Sequence, residues 1–230
     1  MIDYNKDVLF IQDYVFNTQI TEYDIRSAGL SILMNSDVLD EQKISELEAM
    51  TKNSRVVAIG MMIRDNPEYQ QIISKGLVAA RKAFITENAL TEADIVCIKK
   101  DAIFTTRRCS KLEFNGIQFR SKTKWRSYMK LGRIEFLFLD KNRYQILGLG
   151  TMATDYHKDG WIKSIIEIMD RVTNADNSVR SMVMNLISKY KSEKLPERYY
   201  HAFKSDPRSV DPEYNYREII IPLMMILSQI

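Results

Sequence analysis

The sequence predicts an α/β chain of the α+β kind, a mostly antiparallel sheet packed on helices and followed by a helical region. Three observations predict it. Short β-prone runs bounded by turn residues recur through the first 150 positions, one long helical period interrupts them after Asn66-Pro67-Glu68, and the pattern turns helical after Asp159. The 230 residues are 45% apolar and 27% charged, with only 8 Gly and 5 Pro, enough to bury a large core without a disulfide or metal staple.

The elements follow in order. Val8 to Phe16 and Gln19 to Ile25 read as strands, the second ending at Asp24, and a helix is expected from about Asp40 to Met50. Asn66-Pro67-Glu68 starts a helix: Asn accepts a bond from a free backbone N–H, and Pro suits the first turn. Ile73, Leu77, Ala80 and Phe84 then recur at helical spacing, carrying it to about Glu87. Asp94 to Ile98 and Ala102 to Thr106 form a hairpin with Asp101 at its tip. Glu113 to Arg120, Gly132 to Leu139 and Arg143 to Leu149 give further strands, with Asn115-Gly116 as a tight turn. Ile162, Ile165, Ile166 and Met169 form one apolar helical stripe, and Val179, Met182, Val183, Leu186 and Tyr190 another, joined through Thr173 to Asn177 as an antiparallel pair. The last helix, Tyr216 to Gln229, is apolar nearly all round and must be buried or paired.

Composition excludes several classes. Cys97 and Cys109 are the only cysteines, too few for a disulfide framework or a four-ligand zinc site. His157 and His201 lack accompanying ligands at metal-site spacing, and no Gly-rich phosphate loop occurs. Met1 to Phe10 has no signal-peptide core, and the longest apolar run, Ile219 to Leu227, is broken by Pro222 and too short to span a bilayer. A soluble, cytoplasmic protein with no membrane partner is expected.

The net charge of +3 conceals a segregation. Met1 to Met50 carries ten acidic and three basic residues, whereas Cys97 to Arg133 carries eleven basic and two acidic, a local +9. Its cations alternate with Phe104, Phe114, Phe119, Trp125 and Tyr128, a mixture suited to phosphate contacts with occasional stacking. Lys99, Lys100, Lys122, Lys124, Trp125 and Arg126 are the candidate nucleic-acid-binding residues.

Asp24 and Asp101 are each flanked by apolar residues at a predicted strand end. Carboxylates at the ends of adjacent strands can share a pair of divalent cations, an arrangement suited to phosphoryl transfer. These are the candidate catalytic and metal-binding residues. Taken singly, each also reads as a strand-end cap or a solvated turn.

From Glu22 to Tyr200 the chain resembles family B DNA polymerases at several points in the correct succession. Tyr23-Asp24-Ile25-Arg26-Ser27-Ala28-Gly29-Leu30-Ser31 is similar to the first palm motif, matching at Asp24, Ser27 and Ser31. Gly29 stands where the family has the Tyr that packs on the deoxyribose, and Leu30 replaces its Pro. Lys52-Asn53-Ser54 and Gly60 are similar to the nucleotide-binding helix motif without its Tyr, and the helix with Gly76 and Arg81 resembles the palm helix before the third motif. In that third motif Asp101 matches the second Asp, while Lys99 replaces the first. Lys122-Thr123-Lys124-Trp125, or alternatively Lys141-Asn142-Arg143-Tyr144, is similar to the Lys-rich motif near the primer end, and Lys158-Asp159-Gly160-Trp161 looks like the start of the thumb.

The resemblance implies a palm-like domain at 1–150, with rudimentary fingers at about 40–65 and no exonuclease region, and a helical thumb-like region at 151–230. It implies a nucleotidyltransferase acting on a primer–template with two Mg²⁺ ions, and DNA rather than RNA as partner; the small size suggests a viral or mobile-element origin. Lys52 and Arg55 are the candidates for binding the incoming triphosphate, and Lys122 and Lys124 for steadying the backbone. The missing Tyr, the lost Asp and the short fingers favour an alternative, a catalytically inactive palm-like nucleic-acid-binding or replication scaffold. A third reading has Tyr216 to Ile230 mediating self-association or contact with a protein partner.

Overall fold

The structure is a computed structural model that describes residues 2–204 and 206–229. β1 (Val8–Phe10), β2 (Tyr14–Val15) and β3 (Ile20–Ile25) lead into α1 (Ala28–Met34), α2 (Glu41–Ala49), α3 (Lys52–Asp65) and the long α4 (Glu68–Glu87). Then come β4 (Ile95–Lys99), β5 (Ala102–Thr105), β6 (Glu113–Phe114), β7 (Ile117–Trp125), β8 (Ser127–Leu131), β9 (Ile134–Asp140) and β10 (Arg143–Leu147). The chain continues through α5 (Thr151–His157), α6 (Lys163–Thr173), α7 (Val179–Lys191), α8 (Pro212–Asn215) and α9 (Ile221–Leu227). The class is the expected mixed α+β, and the pairs β1–β4, β3–β5, β4–β5, β6–β7, β2–β8, β8–β9 and β9–β10 are all antiparallel.

Two compact units share the chain: residues 1–11 with 21–123, and 12–20 with 124–230. Long-range pairing thus divides the chain at Thr123/Lys124 and lends the second unit an N-terminal segment, where the sequence suggested a division after residue 150. The expected single strand from Val8 to Phe16 is two strands, because β1 pairs with β4 while β2 pairs with β8.

In the first unit the sheet order is β1-β4-β5-β3-β7-β6. Alternation along the strands sends Tyr23 and Ile25 of β3, Ile98 of β4, Ile103 of β5 and Phe119 of β7 into one core with Ile32 and Leu33 of α1 and Ile73, Ala80 and Phe84 of α4. Phe84 is its hub, with ring centroids 4.5 Å from Phe119 and 5.2 Å from Tyr23. The start of α4 is as read: Asn66 Oδ1 accepts from Glu68 N at 3.0 Å. Asn115 and Gly116, both at positive φ (46° and 75°), close the β6–β7 hairpin as a tight turn requires.

In the second unit the sheet order is β10-β9-β8-β2. Met129, Phe136 and Phe138 of this sheet share a core with Ile165 and Met169 of α6, Val183 and Leu186 of α7, and Leu223 and Ile226 of α9. The strand expected from Gly132 begins at Ile134, since Gly132 takes φ +57° in the turn from β8. The expected continuous helix from Tyr216 is α8, a wider π segment at Tyr216–Ile220, and α9 with Pro222 in its first turn. One side of that segment, Ile219, Ile220, Leu223, Ile226 and Leu227, is core, and Ile221, Met224 and Met225 are exposed.

Candidate functional site: a carboxylate pair beside a basic strand

β3 and the β4–β5 hairpin bring Asp24 and Asp101 together although 77 positions separate them. Asp24 lies opposite Ala102 in the β3–β5 register, and the Ile25 N–H donates to the Asp101 carbonyl at 2.9 Å. Backbone bonding therefore joins the end of one strand to the tip of the other hairpin. The Asp101 carboxyl is held above the usual aspartate range, first by burial and next by the charge of Asp24, with hydrogen bonding to Asp24 adding to the rise.

The hairpin tip is fixed from below. Arg81 of α4 is fully buried and donates through Nη1 to the Lys100 carbonyl at 3.0 Å and through Nη2 to the Tyr4 carbonyl at 2.8 Å. Lys100 itself takes φ +43°, while its N–H donates to the Asp7 carbonyl. On the other strand, Ser27 turns the chain out of β3 at φ +50°. Asp101 thus follows directly on a residue in a sparsely populated backbone region, a placement that recurs at functional sites.

β7 supplies the counter-charge. Arg120 Nε and Nη2 both donate to Asp24 Oδ2, at 3.3 and 3.1 Å, and Lys122 Nζ lies 2.9 Å from the same oxygen and 3.3 Å from Glu22 Oε1. Burial works against the Lys122 ammonium, but Asp24, and then Glu22, outweigh it and raise its pKa above the ordinary lysine value. Three carboxylates and two cations share this place. The alternation of β7 explains the set: Gln118, Arg120, Lys122 and Lys124 are exposed while Ile117, Phe119 and Trp125 are buried.

The other expected residues are placed differently. Arg55 of α3 donates to the Leu47, Glu48 and Met50 carbonyls at 2.8, 3.1 and 3.0 Å and to Ser27 Oγ at 3.2 Å, so it caps the end of α2 rather than presenting a free guanidinium. With Arg26, Ser27, Ser31 and Glu48 it lines a cleft of about 420 Å³. Lys52 is exposed at the first residue of α3, and Lys99 lies over the buried Phe104 ring at 5.1 Å. Lys124, Trp125 and Arg126 fall in the second unit. Trp125 is 7% exposed and offers no stacking face, because its place in the strand alternation turns it inward. Arg126 is tied to Asn17 Oδ1 at 3.4 Å and the Thr173 carbonyl at 3.3 Å.

Sequence reasoning passed over Arg120, Glu22 and the role of Arg81. A two-residue step along the strands from Lys122 and Asp24 finds the first two, whereas no local signal marks Arg81, whose partners lie 19 and 77 positions away.

Among the described residues no group of three or more His, Cys, Asp or Glu side chains is set to hold a metal ion. Asp24 and Asp101 are oxygen donors of the type Mg²⁺ takes, but Arg120 and Lys122 occupy Oδ2 of Asp24. No helix among the described residues is long and apolar enough to cross a membrane. Along residues 3–210 the chain matches the family model described as bacteriophage PBS1 gene 130 protein. No curated protein matches it.

Proposed function

From the premise that this chain belongs to the bacteriophage PBS1 gene 130 protein family, we propose that it is a palm-like nucleotidyltransferase that extends a nucleic-acid primer–template by metal-assisted phosphoryl transfer. The single observation that carries the reading is the meeting of Asp24 and Asp101, by backbone bonds between β3 and the hairpin tip. Two further features support it. β3 and β5 are neighbours in the sheet, with Asp24 near the end of β3 and Asp101 in the turn that leads into β5. β7 then lays Arg120 and Lys122 directly beside them. The phage origin of the family agrees with the viral origin suggested by the small size.

In this reading Asp24 and Asp101 hold Mg²⁺, which when bound lowers the pKa of an attacking 3′-hydroxyl and stabilises charge on the phosphates. The protein's own work is positional. Arg81 fixes the turn that aims Asp101, and Arg120 and Lys122 place positive charge where a phosphodiester backbone would lie.

A second reading is favoured by a specific observation: in this structure Oδ2 of Asp24 is already saturated by Arg120 and Lys122, as expected of a palm-like protein that binds nucleic acid without chemistry. Primer extension with Mg²⁺ or Mn²⁺, run beside Asp101→Ala, separates the two. Incorporation that Asp101→Ala abolishes is the expected result. No incorporation by the unmutated chain, with oligonucleotide binding retained, would replace the enzyme with the scaffold.

A further inference from the structure

Three N–H donors converge on one oxygen of Asp24. β7 is already held in the sheet by its backbone, and its buried residues Ile117 and Phe119 fill the core without help from Arg120 or Lys122. Both side chains also keep one foot in water, at 49% exposure for Arg120 and 36% for Lys122, whereas the Asp24 side chain is 7% exposed. Arg120 spends Nε and Nη2 on a single oxygen rather than meeting both oxygens of the carboxylate as a fork. A guanidinium fork matches two oxygens of a phosphate better than one oxygen of a carboxylate. A divalent cation could not join Asp24 Oδ2 while two cationic side chains lie within about 3 Å of it, because like charges at that range repel strongly.

We propose that Arg120 and Lys122 are the phosphodiester-binding groups of this site and that they change partner, leaving Asp24 for the phosphate when a nucleic acid arrives, so that polyanion and divalent cation bind cooperatively. The identity of the anion rests on the palm-like reading above; the exchange itself rests on the ion-pair geometry. The free chain neutralises its own acidic pair and holds it closed to cations. Phosphate draws the two basic side chains outward and uncovers Asp24 beside Asp101. By linkage, whatever factor the oligonucleotide adds to cation affinity, the cation returns to oligonucleotide affinity. Glu22 makes the exchange easier to reverse, since Lys122 retains one carboxylate contact at 3.3 Å from which to return.

The test is Mn²⁺ affinity, followed by its electron paramagnetic resonance signal, with and without a saturating short oligothymidylate whose own Mn²⁺ uptake is subtracted. The unmutated chain is expected to bind Mn²⁺ roughly tenfold more tightly with the oligonucleotide present, within the usual range of coupling. Lys122→Gln and Arg120→Gln, checked for folding by circular dichroism, should bind Mn²⁺ more tightly than the unmutated chain when no oligonucleotide is present, and should lose most of the gain; Lys122→Arg should keep it. Equal Mn²⁺ affinity in both conditions, or weaker Mn²⁺ binding by Lys122→Gln, would overturn the exchange. Were primer extension still observed, that result would leave the nucleotidyltransferase reading standing. If Asp24→Asn and the unmutated chain bind Mn²⁺ equally poorly in every condition, the cation site itself falls and the exchange with it.

Discussion

His157 shows how much one side chain depends on its burial. It is fully buried at the end of α5, where Nε2 lies 3.1 Å from the Ala202 carbonyl and Nδ1 has no hydrogen-bond partner among the described residues. The geometry identifies the neutral ring with the proton on Nε2. Burial holds its pKa below the ordinary histidine value; the Ala202 carbonyl opposes that, and His201 adds to it. Below about pH 6.5 the unfolded chain takes up a proton at this position that the folded chain refuses. Stability contributed by the neutral ring is therefore present above that pH and is lost as pH falls toward the depressed folded value. In that window the slope should approach about 1.4 kcal/mol per pH unit. Urea unfolding between pH 7.5 and roughly pH 5 should show a shallower pH dependence for His157→Phe than for the unmutated chain, even though the variant starts lower because it strands the Ala202 carbonyl. Equal slopes would mean that the ring is not the titrating group. At this scale the two aspartates were singled out in the sequence because Asp24 ends an apolar strand and Asp101 sits at a hairpin tip between two apolar runs. The burial of His157 was not legible there, since Phe203 and Ala202 reach it only in the folded chain.

Among elements, α1 and α4 approach closely at Gly76. A Cβ built on Gly76 of α4 would lie 2.3 Å from Cγ2 and 3.3 Å from Cβ of Ile32, a side chain of α1 that is 3% exposed. Alanine would gain about 1 kcal/mol of helix propensity at such a site. The overlap costs about 1–3 kcal/mol, so the loss wins. Gly76→Ala should lower the melting temperature by a few degrees, and the same change made on Ile32→Ala should cost little or nothing more, a coupling read from the double-mutant cycle. Additive losses would place the strain elsewhere. Because α1 carries the chain away from Asp24 and α4 carries Arg81, this contact also bears on the site. α4 and the β4–β5 hairpin were readable because their signals are local: a capping Asn, a Pro in the first turn, and two β-prone runs around a two-residue turn. α1 was not, being only seven residues long and entered from Ser27 without a side-chain cap. β8 was also missed. Its residues follow the basic run directly, and charge hid the strand.

Over the whole molecule, charge is arranged more informatively than its +3 total suggests, and folding alters which charges count. The unit boundary was not legible, because it depends on β2 pairing with β8 more than 110 positions away. The basic segment was legible as composition, but its eleven cations are not equivalent. Lys122 is neutralised by Asp24 and Glu22, Arg126 is spent on Asn17 and Thr173, and Lys111 pairs with Glu87. Lys124 is exposed, with no ion pair among the described residues. Counterion release scales with phosphates neutralised, so a cation already paired within the protein gives less to the salt dependence than a free one. Lys124→Gln should therefore weaken binding to any short single strand regardless of sequence and reduce the slope of log affinity against log salt by about 0.7. Lys122→Gln should change that slope by less, because removing it also releases Asp24 and Glu22 as repelling charges that depress affinity at every salt concentration. Affinities measured by fluorescence anisotropy across a salt series distinguish the two. A larger slope change for Lys122 than for Lys124 would mean that the ion pairs of the free chain are already broken in solution, and that the acidic pair stands open before nucleic acid arrives.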